Sequence, residues 1–179
     1  MNDVIEHVLI TKAELDRQAV ELGGRISRDY EGEELVIIGV LKGGFIFLAD
    51  LARNISIPVD LDFISVSSYG DSSKSSGVVK IIKDVDINIS GKHVLIVEDI
   101  IDTGLTLNHL VELLKTRGPL SVEICAALDK PSRRKAEVHV KYKGIEIPDE
   151  FVIGYGLDYA GKYRNIPEVC ILKKEIYQK

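Results

Sequence analysis

The feature that most constrains the fold is a strand, turn and helix order that occurs twice in the chain. Residues 34–41, "ELVIIGVL", form a continuous apolar run, and residues 43–54, "GGFIFLADLARN", have helical length and periodicity. Residues 93–98, "HVLIVE", and 106–118, "TLNHLVELLKTRG", repeat this order, with Gly118 as the helix stop. Continuous apolar strands are typical of a parallel sheet that is buried on both faces. The sequence therefore predicts an α/β fold with a largely parallel central sheet flanked by helices.

An earlier helix is predicted near the start of the chain. Thr11 and Glu14 have the spacing of a capping box, and apolar residues at helical spacing follow them. Gly23 and Gly24 come at the end of this pattern. We therefore expect the first helix to end near these two glycines.

The remaining segments predict further strands and a small cap. Residues 59–69 alternate polar and apolar side chains as a strand does, and residues 121–130 supply another strand. Residues 151–172 mix strand, turn and aromatic residues, which favours a small cap over the edge of the sheet. With 179 residues, 45% of them hydrophobic, we expect one globular domain with a sizeable core.

Charge and cysteine content narrow the function classes. A net charge of -5 and a pI near 5.4 give no general electrostatic reason to bind nucleic acid or an anionic membrane. Cys125 and Cys170 lie far apart in apolar runs, which favours buried free thiols over a disulfide or a metal pair. The chain shows neither a bilayer-length apolar run of about 20 residues nor a signal-peptide pattern. We therefore expect a cytoplasmic protein.

The stretch "VLIVEDIIDTGLT", residues 94–106, places three carboxylates at the end of an apolar strand. Where such a strand ends and the chain turns, Glu98 and Asp99 can both project from the edge of the sheet. Carboxylates this close raise each other's proton affinity unless a cation or hydroxyl donors satisfy them. A sugar diol or a divalent metal ion would serve equally well. Helix capping accounts for one acid here, but not for three.

The turn after these acids has the composition of a phosphate site. Thr103, Gly104 and Thr106 stand at the start of the predicted helix, where free backbone amides, the helix dipole and hydroxyl groups attract an anion. A phosphate monoester suits this turn, and Asp102 lies between it and the acidic pair. The combination indicates a ribose 5-phosphate site.

Two other polar segments each allow two interpretations from their residues alone, and a third has one favoured interpretation. Residues 67–77, "SSYGDSSKSSG", are either a disordered surface loop or a lid over a site. The "LKGG" stretch, residues 41–44, is an anion-binding loop or a simple turn. "KPSRR", residues 130–134, is typical of a solvated basic turn.

These motifs resemble a known family. "VLIVEDIIDTGLT" is similar to the phosphoribosyl-pyrophosphate signature of type I phosphoribosyltransferases, in the form found in bacterial hypoxanthine-guanine phosphoribosyltransferases. The resemblance extends from "LKGG" to "LDY", residues 157–159, and so covers nearly the whole chain. It implies the type I fold over residues 1–179. It also implies a small hood built from terminal segments, mainly residues from about 145 to 179 with the N-terminal segment.

The resemblance implies roles for the residues around the sugar. Glu98 and Asp99 match the acidic pair that binds the ribose hydroxyls, and the carboxylate matching Asp102 lies near N7 of the purine. The residues matching the ribose and phosphate loop are Glu98, Asp99, Asp102, Thr103, Gly104, Leu105 and Thr106. Ser68 and Tyr69 match the start of the catalytic lid, which favours the lid interpretation of residues 67–77.

The resemblance also implies how the leaving group and the base are held. Lys42, Gly43 and Arg164 match pyrophosphate-binding residues, and in relatives Lys42 and Gly43 belong to a non-proline cis peptide. Lys130 matches the lysine that donates to the purine 6-oxo group, which an amino group on adenine could not accept. The residues matching the purine site are Lys130, Phe151, Val152 and Asp158. Asp158 matches a magnesium ligand, and Glu98 and Asp99 complete the expected set around Mg2+.

The implied reaction transfers the 5-phosphoribosyl group of phosphoribosyl pyrophosphate to N9 of a 6-oxopurine, hypoxanthine or guanine. It yields IMP or GMP and pyrophosphate, and the expected partners are small-molecule substrates, with neither nucleic acid nor membrane. A homodimer or homotetramer is expected from the resemblance. Two alternatives share the signature: an RNA-binding regulator of pyrimidine genes, and an adenine or orotate transferase. Lys130 argues against both, and Phe151 adds to the argument against the regulator.

Overall fold

The computed structural model of the protein describes residues 2–68 and 79–178, and within them it contains nine strands and four α-helices. The strands are β1 (Ile5–Ile10), β2 (Leu35–Leu41), β3 (Asp60–Ser68), β4 (Val79–Lys83), β5 (His93–Ile101), β6 (Ser121–Asp129), β7 (Tyr142–Glu146), β8 (Val152–Ile153) and β9 (Val169–Leu172). The helices are α1 (Lys12–Asp29), α2 (Phe45–Arg53), α3 (Leu105–Lys115) and α4 (Lys174–Tyr177). Short 3-10 turns span Asn2–Val4 and Pro131–Arg133.

The central sheet has six strands in the order β4-β3-β2-β5-β6-β7. Strands β3, β2, β5, β6 and β7 run parallel to one another, and β4 pairs antiparallel with β3 at one edge. The predicted α/β fold with a largely parallel sheet is therefore confirmed. The predicted lid segment, residues 67–77, starts with the last two residues of β3, and its residues 69–77 lie outside the described residues.

Both faces of the central strands are buried, which explains their continuous apolar sequences. On β2, Ile37 belongs to one core cluster together with side chains of α1 and α2. Its neighbours Val36 and Ile38 belong to a second cluster, together with Leu107 and Leu110 of α3. All three β2 side chains are 0% exposed. Alternate residues of one strand thus pack against opposite helical layers.

The start of α1 is as predicted, but its end is not. Thr11 and Glu14 form the capping box, with the Thr11 backbone N–H donating to Glu14 Oε2 at 2.8 Å. The helix then continues past Gly23 and Gly24 to Asp29, so the predicted end near the glycines is wrong. A β-carbon on Gly23 would lie 2.5 Å from the Asn54 carbonyl oxygen, just after α2. Gly23 therefore allows two helices to pack closely and does not end the first.

A second sheet of three antiparallel strands, in the order β1-β9-β8, is formed by segments from the two ends of the chain. This agrees with the expected cap. The core cluster that contains Ile37 also contains Ile10 of β1 and Ile171 of β9, so the two sheets share one packed interior. Across residues 2–68 and 79–178, each helix is too short or too polar to cross a membrane.

Helix α2 offers a test of this packing, because two of its phenylalanines differ in burial. Phe47 is 0% exposed between the sheet and α1, whereas Phe45 is 43% exposed. We expect Phe47→Ala to lower the free energy of unfolding by about 3–5 kcal/mol, because it leaves a cavity in the core. The matched variant Phe45→Ala should lose less than about 1 kcal/mol. Urea unfolding monitored by circular dichroism measures both, and equal losses would contradict the assigned orientation of α2.

Candidate active site

The acidic pair lies within β5, three residues before the strand ends. β2 pairs with β5 only as far as Val97, whereas β6 continues to pair with β5 as far as Ile101. The expectation that the chain turns at Glu98 is therefore wrong: the strand continues because β6 still supplies hydrogen bonds after β2 has turned away. Glu98 and Asp99 are half-buried at this step in the sheet.

The two carboxylates are close enough to perturb each other. Burial, reinforced by the negative charge of Asp99 and a side-chain hydrogen bond with it, raises the pKa of Glu98 well above its ordinary value of 4.5. Backbone amides partly satisfy both groups: the Asp99 N–H donates to Glu98 Oε1 at 3.2 Å, and the Ile100 N–H donates to Asp99 Oδ1 at 2.8 Å. The pair therefore favours a bound cation or hydroxyl donors, as its sequence suggested.

The "LKGG" turn packs directly on this acidic pair. A β-carbon on Gly43 would overlap Asp99 Oδ2, so any other residue at this position would displace the Asp99 carboxylate. A non-proline cis peptide is present, but it joins Leu41 to Lys42, one bond before the Lys42–Gly43 pair. The expected cis peptide is therefore present, but it lies one bond before the bond between Lys42 and Gly43.

Arg164 reaches the same turn from the C-terminal part of the chain. Its Nη1 donates to the Gly156 carbonyl oxygen at 2.7 Å, and Gly156 itself packs against the carbonyl oxygen of Gly43. Arg164 and Lys42 line one largely apolar hollow of about 440 Å3, together with Leu41, Phe45 and Phe63. The side chains of the two residues expected at pyrophosphate therefore line the same hollow.

A small pocket of about 180 Å3 surrounds the start of α3. Its lining residues are Glu98, Ile100, Ile101, Asp102, Thr103, Gly104, Thr106 and Leu107. α3 begins at Leu105, and Gly104 caps it with φ 79°, a conformation that favours glycine. Two predicted loop residues do not line the pocket: Leu105, and Asp99, which contacts Gly43 instead.

A larger cleft of about 430 Å3 opens between the central sheet and the terminal segments. Its lining residues are Ile100, Asp102, Lys130, Arg133, Asp149, Glu150, Phe151, Val152, Leu157, Asp158, Tyr177 and Gln178. All four residues expected at the purine are among them. Ile100 and Asp102 line both this cleft and the small pocket at the start of α3, so Asp102 stands where the two cavities meet.

Lys130 is the buried cation of the cleft. Only 8% of its surface is exposed, and burial lowers the pKa of its ammonium group. Its Nζ donates to the Glu150 carbonyl oxygen at 2.6 Å, which leaves two of its three N–H donors for a ligand. The Lys130 backbone N–H donates to the Ile101 carbonyl oxygen at 2.9 Å, which ties the residue to the end of β5.

The aromatic wall of the cleft contains a residue that the sequence did not reveal. Phe151 stacks on Tyr177 with ring centroids 5.0 Å apart and meets the edge of Tyr159 at 5.6 Å. The Tyr159 hydroxyl donates to the Ile176 carbonyl oxygen at 3.0 Å, which holds α4 against this wall. Tyr177 lies in a short C-terminal helix without a recognisable motif, so no sequence signal pointed to it.

The Asp158 carboxylate has two protein partners of its own. Its Oδ1 pairs with Arg164 Nη2 at 2.8 Å, and its Oδ2 accepts from the Gly161 N–H at 2.7 Å. Among residues 2–68 and 79–178, no three His, Cys, Asp or Glu side chains lie close enough to hold a metal ion together. The expected metal ligands Asp158, Glu98 and Asp99 therefore do not form a metal cage made of protein side chains alone.

Asp102 pairs with Arg133, which belongs to the segment expected to be a solvated basic turn. Arg133 Nε donates to Asp102 Oδ1 at 2.8 Å, and Arg133 Nη1 lies 3.6 Å from Asp149 Oδ1. All three side chains line the large cleft. In the sequence, only the position of Arg133, three residues after Lys130 in "KPSRR", could have indicated that it lies in the cleft.

Comparisons with known proteins find relatives that match nearly the whole chain. A family model described as the phosphoribosyl transferase domain matches residues 11–160. A hypoxanthine-guanine phosphoribosyltransferase of Bacillus subtilis is 49% identical over 178 residues, covering 99% of each chain. A crystal structure of a hypoxanthine phosphoribosyltransferase from Staphylococcus aureus has a TM-score of 0.97 and 46% identity, covering 100% of this chain and 97% of that one. A hypoxanthine-guanine phosphoribosyltransferase structure from Bacillus anthracis, with a HEPES molecule in its active site, has a TM-score of 0.91 and 49% identity, covering 94% and 99%.

The raised pKa of Glu98 predicts a pH-dependent stability. The folded protein holds a proton on Glu98 more tightly than the unfolded chain does, so folding takes up a proton between pH 4.5 and the raised pKa. The free energy of unfolding therefore falls as the pH rises through that window. Glu98→Gln removes this ionisation. Without magnesium, we expect the variant to exceed the native protein in stability at about pH 7 and to lose that advantage at about pH 4.

Urea unfolding at both pH values measures the effect. The control variant is Glu112→Gln on α3, whose carboxylate is 65% exposed and pairs with Lys115. It should change the stability by less than about 0.5 kcal/mol at either pH. A Glu98→Gln difference that is the same at both pH values would show that the pKa is not raised.

Proposed function

Because this chain belongs to the phosphoribosyl transferase family and matches hypoxanthine-guanine members over 99% of its length, we propose that it transfers a 5-phosphoribosyl group from phosphoribosyl pyrophosphate to N9 of hypoxanthine or guanine. The products are IMP or GMP and pyrophosphate, so the enzyme salvages free purine bases. The observation that carries this proposal is the position of Asp102, shared by the large cleft and the phosphate pocket. The RNA-binding alternative finds no support among the relatives described above.

The sugar phosphate is bound by the turn between β5 and α3. The 5-phosphate accepts hydrogen bonds from the backbone amides at the start of α3 and from the hydroxyls of Thr103 and Thr106. Gly104 allows the chain to turn sharply into this helix, which the φ value of 79° supports. The carboxylates of Glu98 and Asp99 accept hydrogen bonds from the ribose hydroxyls. Burial of Glu98 beside Asp99 supports this role, because hydroxyl donors relieve the repulsion between the two groups.

The purine lies in the large cleft between Ile100 and Phe151. Lys130 donates to the 6-oxo group with the two N–H donors that are not used by the Glu150 carbonyl oxygen. The ammonium group disfavours adenine, because the amino group of adenine is also a donor. Phe151 stacks on the base, and the Tyr177 ring supports it from within the same wall. Val152, which follows Phe151 along this wall, contacts the edge of the purine.

Pyrophosphate leaves toward the "LKGG" turn. Lys42 and Arg164 bring positive charge to this side of the site, and Gly43 allows the turn to lie against Asp99. Asp158, Glu98 and Asp99 are the carboxylates proposed to hold magnesium together with ligand oxygens. A donor set of one or two carboxylates per ion fits, because Mg2+ commonly binds through few protein ligands and substrate phosphates. When bound, magnesium supplies positive charge that stabilises the departing diphosphate.

Asp102 is proposed to act on the base. As N9 becomes nucleophilic, the Asp102 carboxylate accepts or shares the proton at N7. The sugar becomes oxocarbenium-like as its bond to pyrophosphate breaks, so negative side chains beneath it stabilise developing positive charge. Ser68 and Tyr69 are proposed to begin a lid that excludes water from this cation, although residues from Tyr69 to 77 lie outside the described part of the chain.

We further propose that residues 1–179 act as a single domain, with a hood from about residue 145 onward and the N-terminal segment. The core cluster that contains both Ile37 and Ile171 supports this. Exposed apolar side chains such as Phe45 and Ile82 favour a homodimer or homotetramer. Cys125 and Cys170 are both free and buried, which fits the reducing cytoplasm. The partners are small-molecule substrates, and neither nucleic acid nor membrane is among them.

The reaction can be tested directly. The protein is incubated with magnesium, phosphoribosyl pyrophosphate and hypoxanthine, guanine, xanthine or adenine in turn, and the nucleotide formed is identified by chromatography. We expect product with hypoxanthine or guanine and little with adenine. Asp102→Asn should lower turnover by about 10²- to 10⁴-fold, because it removes the proton acceptor but preserves the shape of the side chain. Native turnover in this variant would refute the general-base role.

Lys130 provides a separate test of base selection. We expect Lys130→Gln to lower kcat/KM for hypoxanthine by about 10- to 100-fold through loss of a charged hydrogen bond, and to reduce the preference over adenine. Lys130→Arg keeps the charge and checks that the loss does not come from misfolding. Lys12→Gln, at an exposed cation on α1, is the control and should leave the kinetics unchanged. Equal losses for all bases would argue against a role in selection.

A further inference from the structure

The proposed proton acceptor is tied to a neighbouring cation. Arg133 Nε donates to Asp102 Oδ1 at 2.8 Å, and on its other side Arg133 Nη1 lies 3.6 Å from Asp149 Oδ1. The side chains of Arg133 and Asp102 are 48% and 44% exposed, so neither is fixed by burial. All three groups face the cleft assigned to the base. The ion pair is therefore part of the cleft wall and not a remote surface contact.

The hydrogen bond occupies one oxygen of the carboxylate and leaves the other. Within the described residues, Asp102 Oδ1 accepts from Arg133, while Oδ2 accepts no protein hydrogen bond. A half-exposed aspartate without a partner can move among several rotamers, and only one of them directs an oxygen at a given atom of the base. A guanidinium presents its N–H donors in a fixed plane, so it restricts the orientation of the carboxylate that it binds. Arg133 thus selects one orientation of Asp102.

The backbone connects this contact to Lys130. Arg133 ends the short 3-10 turn Pro131–Arg133, and its backbone N–H donates to the Lys130 carbonyl oxygen at 3.2 Å. The Lys130 backbone N–H in turn donates to the Ile101 carbonyl oxygen, one residue before Asp102. One turn therefore carries both the donor for the oxygen of the base and the group that orients the acceptor for its N7 proton.

From this geometry we propose that Arg133 is a positioning residue: it holds the Asp102 carboxylate in the orientation that meets N7 of the purine, and Asp149 holds Arg133. The inference rests on the proposed function of Asp102. Arg133 Nε donates to the Asp102 carboxylate, so its proposed effect on the reaction passes through Asp102. Proximity of an acceptor to the reacting group strongly affects the rate, so loss of this orientation lowers turnover even though the carboxylate remains.

A double-mutant cycle tests the proposal. Arg133→Gln, Asp102→Asn and the double variant are compared by kcat and KM for hypoxanthine at saturating phosphoribosyl pyrophosphate. We expect Arg133→Gln to lower kcat about tenfold when Asp102 is present, and by less than about twofold in the Asp102→Asn background. Arg133→Lys keeps the charge without the planar donors and should recover only part of the loss. Asp149→Asn should cause a smaller loss that disappears in the Arg133→Gln background.

A matched control uses another arginine–aspartate pair outside the site. Arg117 lies just after α3, at the opposite end of this helix from the phosphate pocket, and pairs with Asp84 through two hydrogen bonds of 2.8 Å. Arg117→Gln removes a comparable pair and should leave kcat and KM unchanged. Urea unfolding of each variant identifies any change that comes from folding.

Each outcome decides the proposal. Native kinetics in Arg133→Gln, or an equal loss in the presence and absence of the Asp102 carboxylate, would overturn it, the latter because Arg133 would then act on the substrate or on the fold. If Asp102→Asn is impaired and Arg133→Gln is not, only the inference about Arg133 fails. If Asp102→Asn itself keeps native turnover, the general-base assignment fails and the inference fails with it.

Discussion

Burial of the central strands on both faces is the constraint on which the site depends. Val36, Ile37 and Ile38 of β2 are fully buried between two helical layers, and β5 is packed in the same way. Such strands have no solvated face on which a polar group could stand without loss of its hydration. Functional side chains are therefore confined to the strand ends and the turns that follow. In this chain, the acids of β5 appear where β2 leaves the sheet.

Beyond the point where β2 stops pairing with β5, the "LKGG" turn and a C-terminal loop pack next to the acidic pair. The backbone of Gly43 lies so close to Asp99 that a β-carbon there would displace the Asp99 carboxylate, and a β-carbon on Gly156 would overlap the carbonyl oxygen of Gly43. The acidic pair and the "LKGG" turn are therefore neighbours. Burial of Glu98, together with the negative charge of Asp99, raises the pKa of Glu98 and costs stability in the free protein as the pH rises above 4.5. A site that binds a sugar diol and a diphosphate can recover this cost when the ligand arrives, which is a reason for keeping two acids so close.

The large cleft is lined by residues from both the central sheet and the terminal segments. The central sheet supplies Asp102 and, just after β6, Lys130, whereas the terminal segments supply Phe151 and Tyr177. The turn Pro131–Arg133 connects the two sides, because Arg133 spans from Asp102 toward Asp149. The roles proposed for Lys130 in base selection and for Asp102 in proton transfer therefore depend on the same short turn.

The sequence alone predicted the α/β class, the capping box at Thr11 and the chemistry concentrated in residues 94–106, because periodicity, caps and strand–turn–helix order are local properties. It was misleading at Gly23, where the need for glycine comes from Asn54, a residue distant in the chain. It could also not show that β5 continues past Glu98, that Tyr177 stacks on Phe151, or that Arg133 binds Asp102. Only the tertiary structure decided these features, because each depends on contacts between segments far apart in the chain, and no local pattern records such contacts.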